Sequence, residues 1–82
     1  MKVYVIKDER GWYFCELKAK EYGICLETTT ERDYATKFTN KKYCTKVYNL
    51  LKFLYKNHIT EFKFNPEIVK VEGEKNETKQ NS

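Results

Sequence analysis

Apolar and polar residues alternate in the first part of the chain, as they do in β-strands. Residues 2–7 and 12–18 show this alternation and are rich in β-branched and aromatic side chains. The segment between them, Asp8 to Gly11, has the length and the glycine of a tight connection, so the pattern predicts a β-hairpin. A shorter third strand is predicted over 24–28, after a turn at Tyr22 and Gly23, and a brief extended piece over 34–38.

The pattern changes to a helical period after Thr39, which is a good N-cap residue. Apolar side chains then recur at the spacing of one helix face, namely Tyr43, Val47, Leu50, Leu51 and Leu54. A helix is therefore predicted over 40–57.

Strand alternation returns over 59–64, is broken at Asn65 and Pro66, and resumes over 67–72. The sequence thus predicts an α+β fold of order ββββαββ, in which a small antiparallel sheet, the N-terminal hairpin plus further short strands, packs on one amphipathic helix. Residues 1–72 are predicted to form one domain. Residues 73–82 contain no large apolar side chain and are predicted to be a disordered polar tail.

The positive charge of the chain is concentrated in one segment. Residues 1–33 and 61–82 each carry a net charge of −1, whereas residues 34–60 carry +6, which gives the total of +4. This segment has no Asp or Glu and holds the lysines Lys37, Lys41, Lys42, Lys46, Lys52 and Lys56. Such a distribution predicts a face that meets a negative partner, either nucleic acid, a nucleotide or an acidic protein.

On a helical projection the helix lysines share one side, with Phe53 among them and two tyrosines at the edge. An aromatic ring among lysines suits a partner, because the lysines neutralise charge while the ring stacks or anchors. The predicted partner-binding residues are Lys42, Lys46, Lys52, Phe53, Lys56, Tyr48 and Tyr55. The alternative is an ordinary solvated helix face, with Phe53 packed under the tail or the final strand. Lysine without arginine predicts that any nucleic-acid contact would be backbone-directed and weakly selective.

Both faces of the predicted hairpin carry apolar side chains, although one helix can cover only one of them. The remaining face, with Tyr4, Trp12 and Phe14, is a candidate aromatic surface for a partner or a second copy of the chain. The alternative is that the later strands cover it.

Residue types argue against catalysis. The chain has a single Ser, Ser82, and a single His, His58, and its glycines are too few and too scattered for a phosphate-binding loop. An odd number of cysteines without C-x-x-C spacing argues against a disulfide framework and a zinc site. Pairing of a Cys with His58 is a formal alternative, but a His that favours the negative end of the helix is the preferred interpretation. We therefore expect no enzyme activity, no metal and no cofactor, in a cytoplasmic protein without a membrane segment.

Parts of the sequence resemble small uncharacterised proteins of phages and prophages in low-GC Gram-positive bacteria. The resemblance rests on the "Y-V-I-K" hairpin, on an "A-x-x-F-x-x-K-x-x-A" junction and on the closing "E-I-V-K-V-E" strand. Ala35, Phe38 and Lys41 match the junction, and Cys44 stands at the position of its second Ala. The resemblance implies a phage accessory protein that binds and disables host machinery, including restriction or CRISPR effectors, and it transfers no functional residue.

A weaker resemblance is to the arm-binding domain of phage integrases, which has three strands, a helix and a similar "F-x-T-x-x-x-A" junction. That family binds DNA with its sheet. Here residues 12–18 carry one Lys beside Glu16, and further strands are predicted after the helix, so the sequence departs from the family on both points.

Three hypotheses follow. The first is a non-catalytic phage-derived inhibitor of host defence, of anti-CRISPR or anti-restriction type, which docks onto a host protein through the lysine and aromatic side chains of its helix. The second is a small nucleic-acid-binding module that contacts phosphates through the same lysines. The third is a protein that self-associates as a homodimer through the aromatic sheet face.

Overall fold

A four-stranded antiparallel sheet and one α-helix make up the fold, as a computed structural model of residues 2–59 and 63–71 shows. The α+β class predicted from the sequence is confirmed. In chain order the elements are β1 (Val3–Lys7), β2 (Tyr13–Lys20), β3 (Gly23–Thr29), a 3-10 helix (Arg32–Tyr34), α1 (Lys41–Lys56) and β4 (Glu67–Val71). The strands lie in the order β3-β2-β1-β4.

The turn between β1 and β2 is organised by a buried carboxylate. Asp8 is 1% exposed, and its Oδ1 accepts hydrogen bonds from the backbone N–H groups of Arg10 and Trp12, both at 3.0 Å. Its Oδ2 accepts from Arg10 Nε at 2.8 Å and lies 2.6 Å from Arg10 Nη2. Gly11 supplies the positive φ of 95° that the turn needs. The predicted hairpin is therefore present, and Asp8 is the residue that shapes its turn.

Strands β2 and β3 form the longest paired ribbon of the sheet, from Tyr13↔Thr29 to Lys20↔Gly23. A bulge between Phe14 and Glu16 shifts the register, so that Leu17 and Leu26 pack against the same core as Phe14.

Strands β1 and β2 separate soon after their turn. They pair at Lys7↔Tyr13, and the start of β1 instead pairs with Phe38 through hydrogen bonds in both directions with Tyr4, each 2.8 Å. The backbone N–H of Thr36 donates to Phe14 O at 3.1 Å, so residues 36–38 fill the space between the two strands. The extended piece predicted over 34–38 is thus wrong as a strand, because its first residue ends the 3-10 helix and only Phe38 forms a bridge.

The helix begins and ends with specific hydrogen bonds. Asn40, rather than the predicted Thr39, is the N-cap, and its Oδ1 accepts from Tyr43 N–H at 3.1 Å. At the other end the N–H groups of His58 and Ile59 donate to Tyr55 O and Leu54 O, at 3.2 and 3.0 Å. This is the Schellman pattern, with His58 at a φ of 54° in the position that Gly usually takes.

Two apolar clusters cover the two faces of the sheet. The larger one packs the helix against the sheet through Ile6, Phe14, Phe38, Cys44, Leu51, Leu54 and Phe64. The smaller one, on the opposite face, joins Val5 and Val71 to Ala35. The segment that leads into the helix therefore closes the face that the helix leaves open.

The aromatic surface predicted from Tyr4, Trp12 and Phe14 is wrong, because these side chains lie on the helix-covered side. Phe14 is 6% exposed, and its ring stacks on Phe38 with centroids 6.3 Å apart. Tyr4 and Trp12 are partly buried against the same cluster, and Lys41 Nζ lies 5.6 Å from the centre of the Tyr4 ring.

The strand predicted over 59–64 is not found at its described positions, since residues 59, 63 and 64 lie outside any strand. Phe64 instead packs in the core, and Pro66, two residues further along the chain, is also buried. Residues 60–62 of that prediction, and the predicted tail over 73–82, lie outside the described residues.

Candidate partner-binding face

One side of α1 faces away from the sheet and carries both charge and apolar area. The core side of the helix is formed by Cys44, Leu51 and Leu54, which are buried. The opposite side, called here the exposed helix face, consists of Lys42, Tyr43, Lys46, Leu50, Phe53 and Lys56. Each of these residues lies three or four positions from another member of the set, which makes them neighbours on the helix surface.

Three large apolar side chains lie on this face. Tyr43 is 59% exposed, Leu50 is 47% exposed and Phe53 is 56% exposed. Phe53 was predicted to stand among the lysines, and the structure places it there. Tyr43 and Leu50 belong to the apolar helix face predicted from the sequence, but they lie at its exposed edge, because Cys44, Leu51 and Leu54 form the buried line of the helix. The ring of Tyr43 still packs against Phe38 of the core, with centroids 5.7 Å apart.

Within the described residues, the lysines of the exposed helix face have no acidic partner in a salt bridge. Lys42, Lys46 and Lys56 are exposed and form no salt bridge within residues 2–59 and 63–71. The first turn of the helix contains no acidic residue either. The positive potential of this face is therefore directed at solvent.

Lys52, Tyr48 and Tyr55 belong to the predicted site but serve the fold. Lys52 Nζ donates to Asn65 Oδ1 at 2.6 Å and lies 6.0 and 5.9 Å from the ring centres of Tyr48 and Tyr55. All three side chains are partly buried. This arrangement ties the helix to the segment that precedes β4, so these residues contribute to the structure more than to a free surface.

A groove runs along the other flank of the helix, and no pattern in the sequence indicates it. Its floor is formed by Phe14 and Leu17 of β2, and one wall is formed by Tyr43, Val47 and Leu50. Residues 36–40 form the remaining wall, and the volume of this open groove is about 550 Å³. Tyr43 and Leu50 therefore border both the groove and the exposed helix face.

The thiols of Cys15 and Cys44 do not resemble catalytic nucleophiles. Burial raises the pKa of Cys44, and burial together with the carboxylates of Glu27 and Glu16 raises the pKa of Cys15. Nucleophilic cysteines have a lowered pKa instead. His58, the remaining candidate of the formal Cys–His alternative, lies at the helix C-terminus as the sequence predicted.

The described residues also bear on two other kinds of site, a metal centre and a membrane-spanning helix. Within the described residues, no group of three or more His, Cys, Asp or Glu side chains is placed to hold a metal ion. Among the same residues, α1 is too short and too polar to cross a bilayer. Comparisons of the chain with protein-family models, with curated proteins and with solved structures found no match.

Proposed function

We propose that this protein is a non-catalytic binding protein that docks onto an acidic surface of another protein through its exposed helix face. The observation that supports the proposal is the exposure of Tyr43, Leu50 and Phe53 among Lys42, Lys46 and Lys56. Large apolar side chains at the centre of a patch provide most of the binding energy of an interface. Lysines at its rim accelerate the encounter with a partner of opposite charge.

The biological part of the proposal rests on the resemblance to small phage and prophage proteins. A phage-derived protein of this kind would act in the cytoplasm of a bacterial host, and its partner would be a host defence effector of the CRISPR or restriction type. Such effectors process nucleic acid. Blocking one of them requires binding but no catalysis.

The test is binding of the purified protein to a panel of purified CRISPR and restriction effectors. We expect Phe53→Ala to weaken an effector complex by about 30-fold or more, mainly through faster dissociation, as for a central anchor. Lys42→Ala should mainly slow association, with an effect that shrinks as salt is added. Lys20→Ala, an exposed lysine at the end of β2 and outside the helix, serves as the control. The absence of wild-type binding to every effector would contradict the proposal.

A second candidate function is phosphate-directed binding of nucleic acid, which Lys42, Lys46 and Lys56 favour because they form no salt bridge with any residue that the structure describes. If all three contact phosphates of a duplex, the logarithm of the affinity should fall with the logarithm of the salt concentration with a slope of roughly −3. Replacing these lysines by Glu should abolish binding. A flat salt response would exclude this function, and it would leave the protein partner as the remaining proposal.

A further inference from the structure

The groove beside α1 differs from the exposed helix face in chemistry. Its floor and one wall are apolar, with Phe14, Leu17, Val47 and Leu50. Its volume of about 550 Å³ lies within the range of roughly 300 to 1,000 Å³ that is usual for ligand pockets in proteins. It is therefore large enough to receive more than one apolar side chain.

The charges around the groove are mostly positive. On the helix, Lys46 lies one turn from both Tyr43 and Leu50, which form the wall. The N-terminal end of the helix, at Thr39 and Asn40, also borders the groove, and its unsatisfied N–H groups carry partial positive charge. The first turn supplies no acidic side chain to offset that charge.

Two charged side chains, Lys37 and Glu16, belong to the described lining of the groove. Lys37 Nζ donates to the backbone carbonyls of Arg32, Asp33 and Ala35, at 3.0 to 3.2 Å. Glu16 is exposed and lies 4.0 Å from the ammonium group of Lys18, whose nearer carboxylate is that of Glu27 at 3.1 Å. Because Lys37 and Glu16 carry opposite charges, Lys46 and the helix N-terminus give this side of the groove its net positive charge.

We propose that the groove binds a linear segment of the partner protein in which large aliphatic or aromatic side chains alternate with Asp or Glu. The apolar side chains enter the groove against Leu17 and Val47, and the carboxylates face Lys46 and the helix N-terminus. The proposal rests on the proposed function, since it specifies which part of the protein partner is recognised.

Two other occupants fit less well. A second copy of the chain would place Lys42 and Lys46 close to their own counterparts or to other lysines of the same face, and like charges at an interface oppose association. A nucleic-acid strand would offer phosphates to the lysines but would leave the apolar floor without a matching group, unless bases stacked there. An acidic and apolar protein segment satisfies both features together.

The test is a selection of random peptides of about a dozen residues, displayed on cells, with the folded protein as bait. We expect the enriched peptides to combine acidic with large apolar residues. Their affinity should fall at least tenfold on Leu50→Glu and on Tyr43→Glu, two exposed positions of the wall. The matched control is Asn49→Glu, which adds the same charge to the adjacent, exposed residue outside the groove lining. Circular dichroism of each variant confirms that it is folded.

Enriched peptides that are basic or purely polar would overturn the proposal. So would acidic and apolar peptides that bind Leu50→Glu, Tyr43→Glu and Asn49→Glu equally well, and so would a selection that enriches no peptide. With a whole partner, loss of binding on Phe53→Ala but not on Leu17→Ala, a change in the groove but outside the exposed helix face, would refute the groove and retain the docking function. A partner whose affinity is unchanged by both substitutions would refute the docking function itself.

Discussion

Replacement of Asp8 should be among the most destabilising single changes in this protein. Its Oδ1 accepts the N–H groups of Arg10 and Trp12, whereas its Oδ2 accepts from the Arg10 side chain. Because the carboxylate is 1% exposed, water does not replace these bonds when the side chain is shortened. Asp8→Ala therefore leaves two backbone donors of the turn without their acceptor and removes the ion pair.

The size of the effect follows from these contacts. Each buried donor left without a partner costs about 1 to 3 kcal/mol. The ion pair adds at most about 1 kcal/mol, because the Arg10 side chain is 45% exposed. We expect Asp8→Ala to lower the free energy of unfolding by about 3 to 5 kcal/mol. A chain of this length is stable by roughly 4 to 12 kcal/mol, so the variant should be partly unfolded at the lower end of that range.

Asp8→Asn separates the two contributions. The amide keeps an oxygen at the Oδ1 position for both backbone N–H groups but loses the charge that faces Arg10. We expect a loss of about 1 to 2 kcal/mol, clearly smaller than that of Asp8→Ala. Glu9→Ala, at an exposed position of the same turn, should change the stability by less than about 0.5 kcal/mol.

Urea unfolding followed by far-ultraviolet circular dichroism measures these differences, with the fluorescence of Trp12 as a second probe. The interpretation requires an unchanged m-value, so that only the midpoint moves. A loss below about 1 kcal/mol for Asp8→Ala would refute the claim that its hydrogen bonds hold the turn. Equal losses for the Ala and Asn variants would show that the charge, and not the Oδ1 acceptor, is what matters.

Three further predictions concern the helix and its thiol. His58→Gly should raise the free energy of unfolding by about 0.5 to 1 kcal/mol, because Gly adopts the positive φ without strain. Asn57→Gly, at a φ of −101°, should bring no gain, and thermal unfolding of the two variants compares them. Lys52→Ala should lower the free energy of unfolding, measured with urea, by about 1 kcal/mol, whereas Lys56→Ala should change it by less than about 0.5 kcal/mol. Equal losses would contradict the structural role of Lys52. Burial and a raised pKa should keep the Cys44 thiol protonated and unreactive in mildly alkaline buffer, so iodoacetamide should label it only as fast as the chain unfolds. Mass spectrometry measures the labelling, and a rate for Cys44 equal to that of the other thiols would disprove this.

Elements with a strong local pattern could be predicted from the sequence. The turn at Asp8 to Gly11, the strands on either side, β3 and the final strand were all placed within about two residues of their observed ends. The helix was placed within one residue at each end. The N-cap could not be predicted, because Thr39 and Asn40 are both good N-cap residues and only the backbone conformation at Asn40 decides between them.

The orientation of the helix could have been predicted better. Counting Cys44 as apolar gives the series Cys44, Val47, Leu51 and Leu54, which also follows one helix face. Cysteine is among the most frequently buried residue types, so this series was the better guide to the core. With it, Tyr43 and Leu50 move to the edge and become candidates for a binding surface.

Contacts between distant segments could not be predicted. Nothing in residues 34–38 indicates that Thr36 bonds to β2 and Phe38 to β1, because both bonds depend on how far the two strands separate. The burial of Phe14 and the formation of the groove depend on the same separation. Both faces of the hairpin were apolar in the sequence, so the choice of the covered face was left to the tertiary structure.

The order of the strands has a consequence for the newly made chain. β1 pairs with β4 along its whole length, from Val3↔Val71 to Lys7↔Glu67, whereas its contact with the neighbouring β2 is a single pair. At usual rates of translation, a ribosome needs about 3 to 14 s to proceed from Val3 to its pairing partner Val71. During that time the apolar edge of β1 has no β4 to pair with, and exposed strand edges promote aggregation. Slower translation of the helix region should therefore lower the soluble yield of this protein.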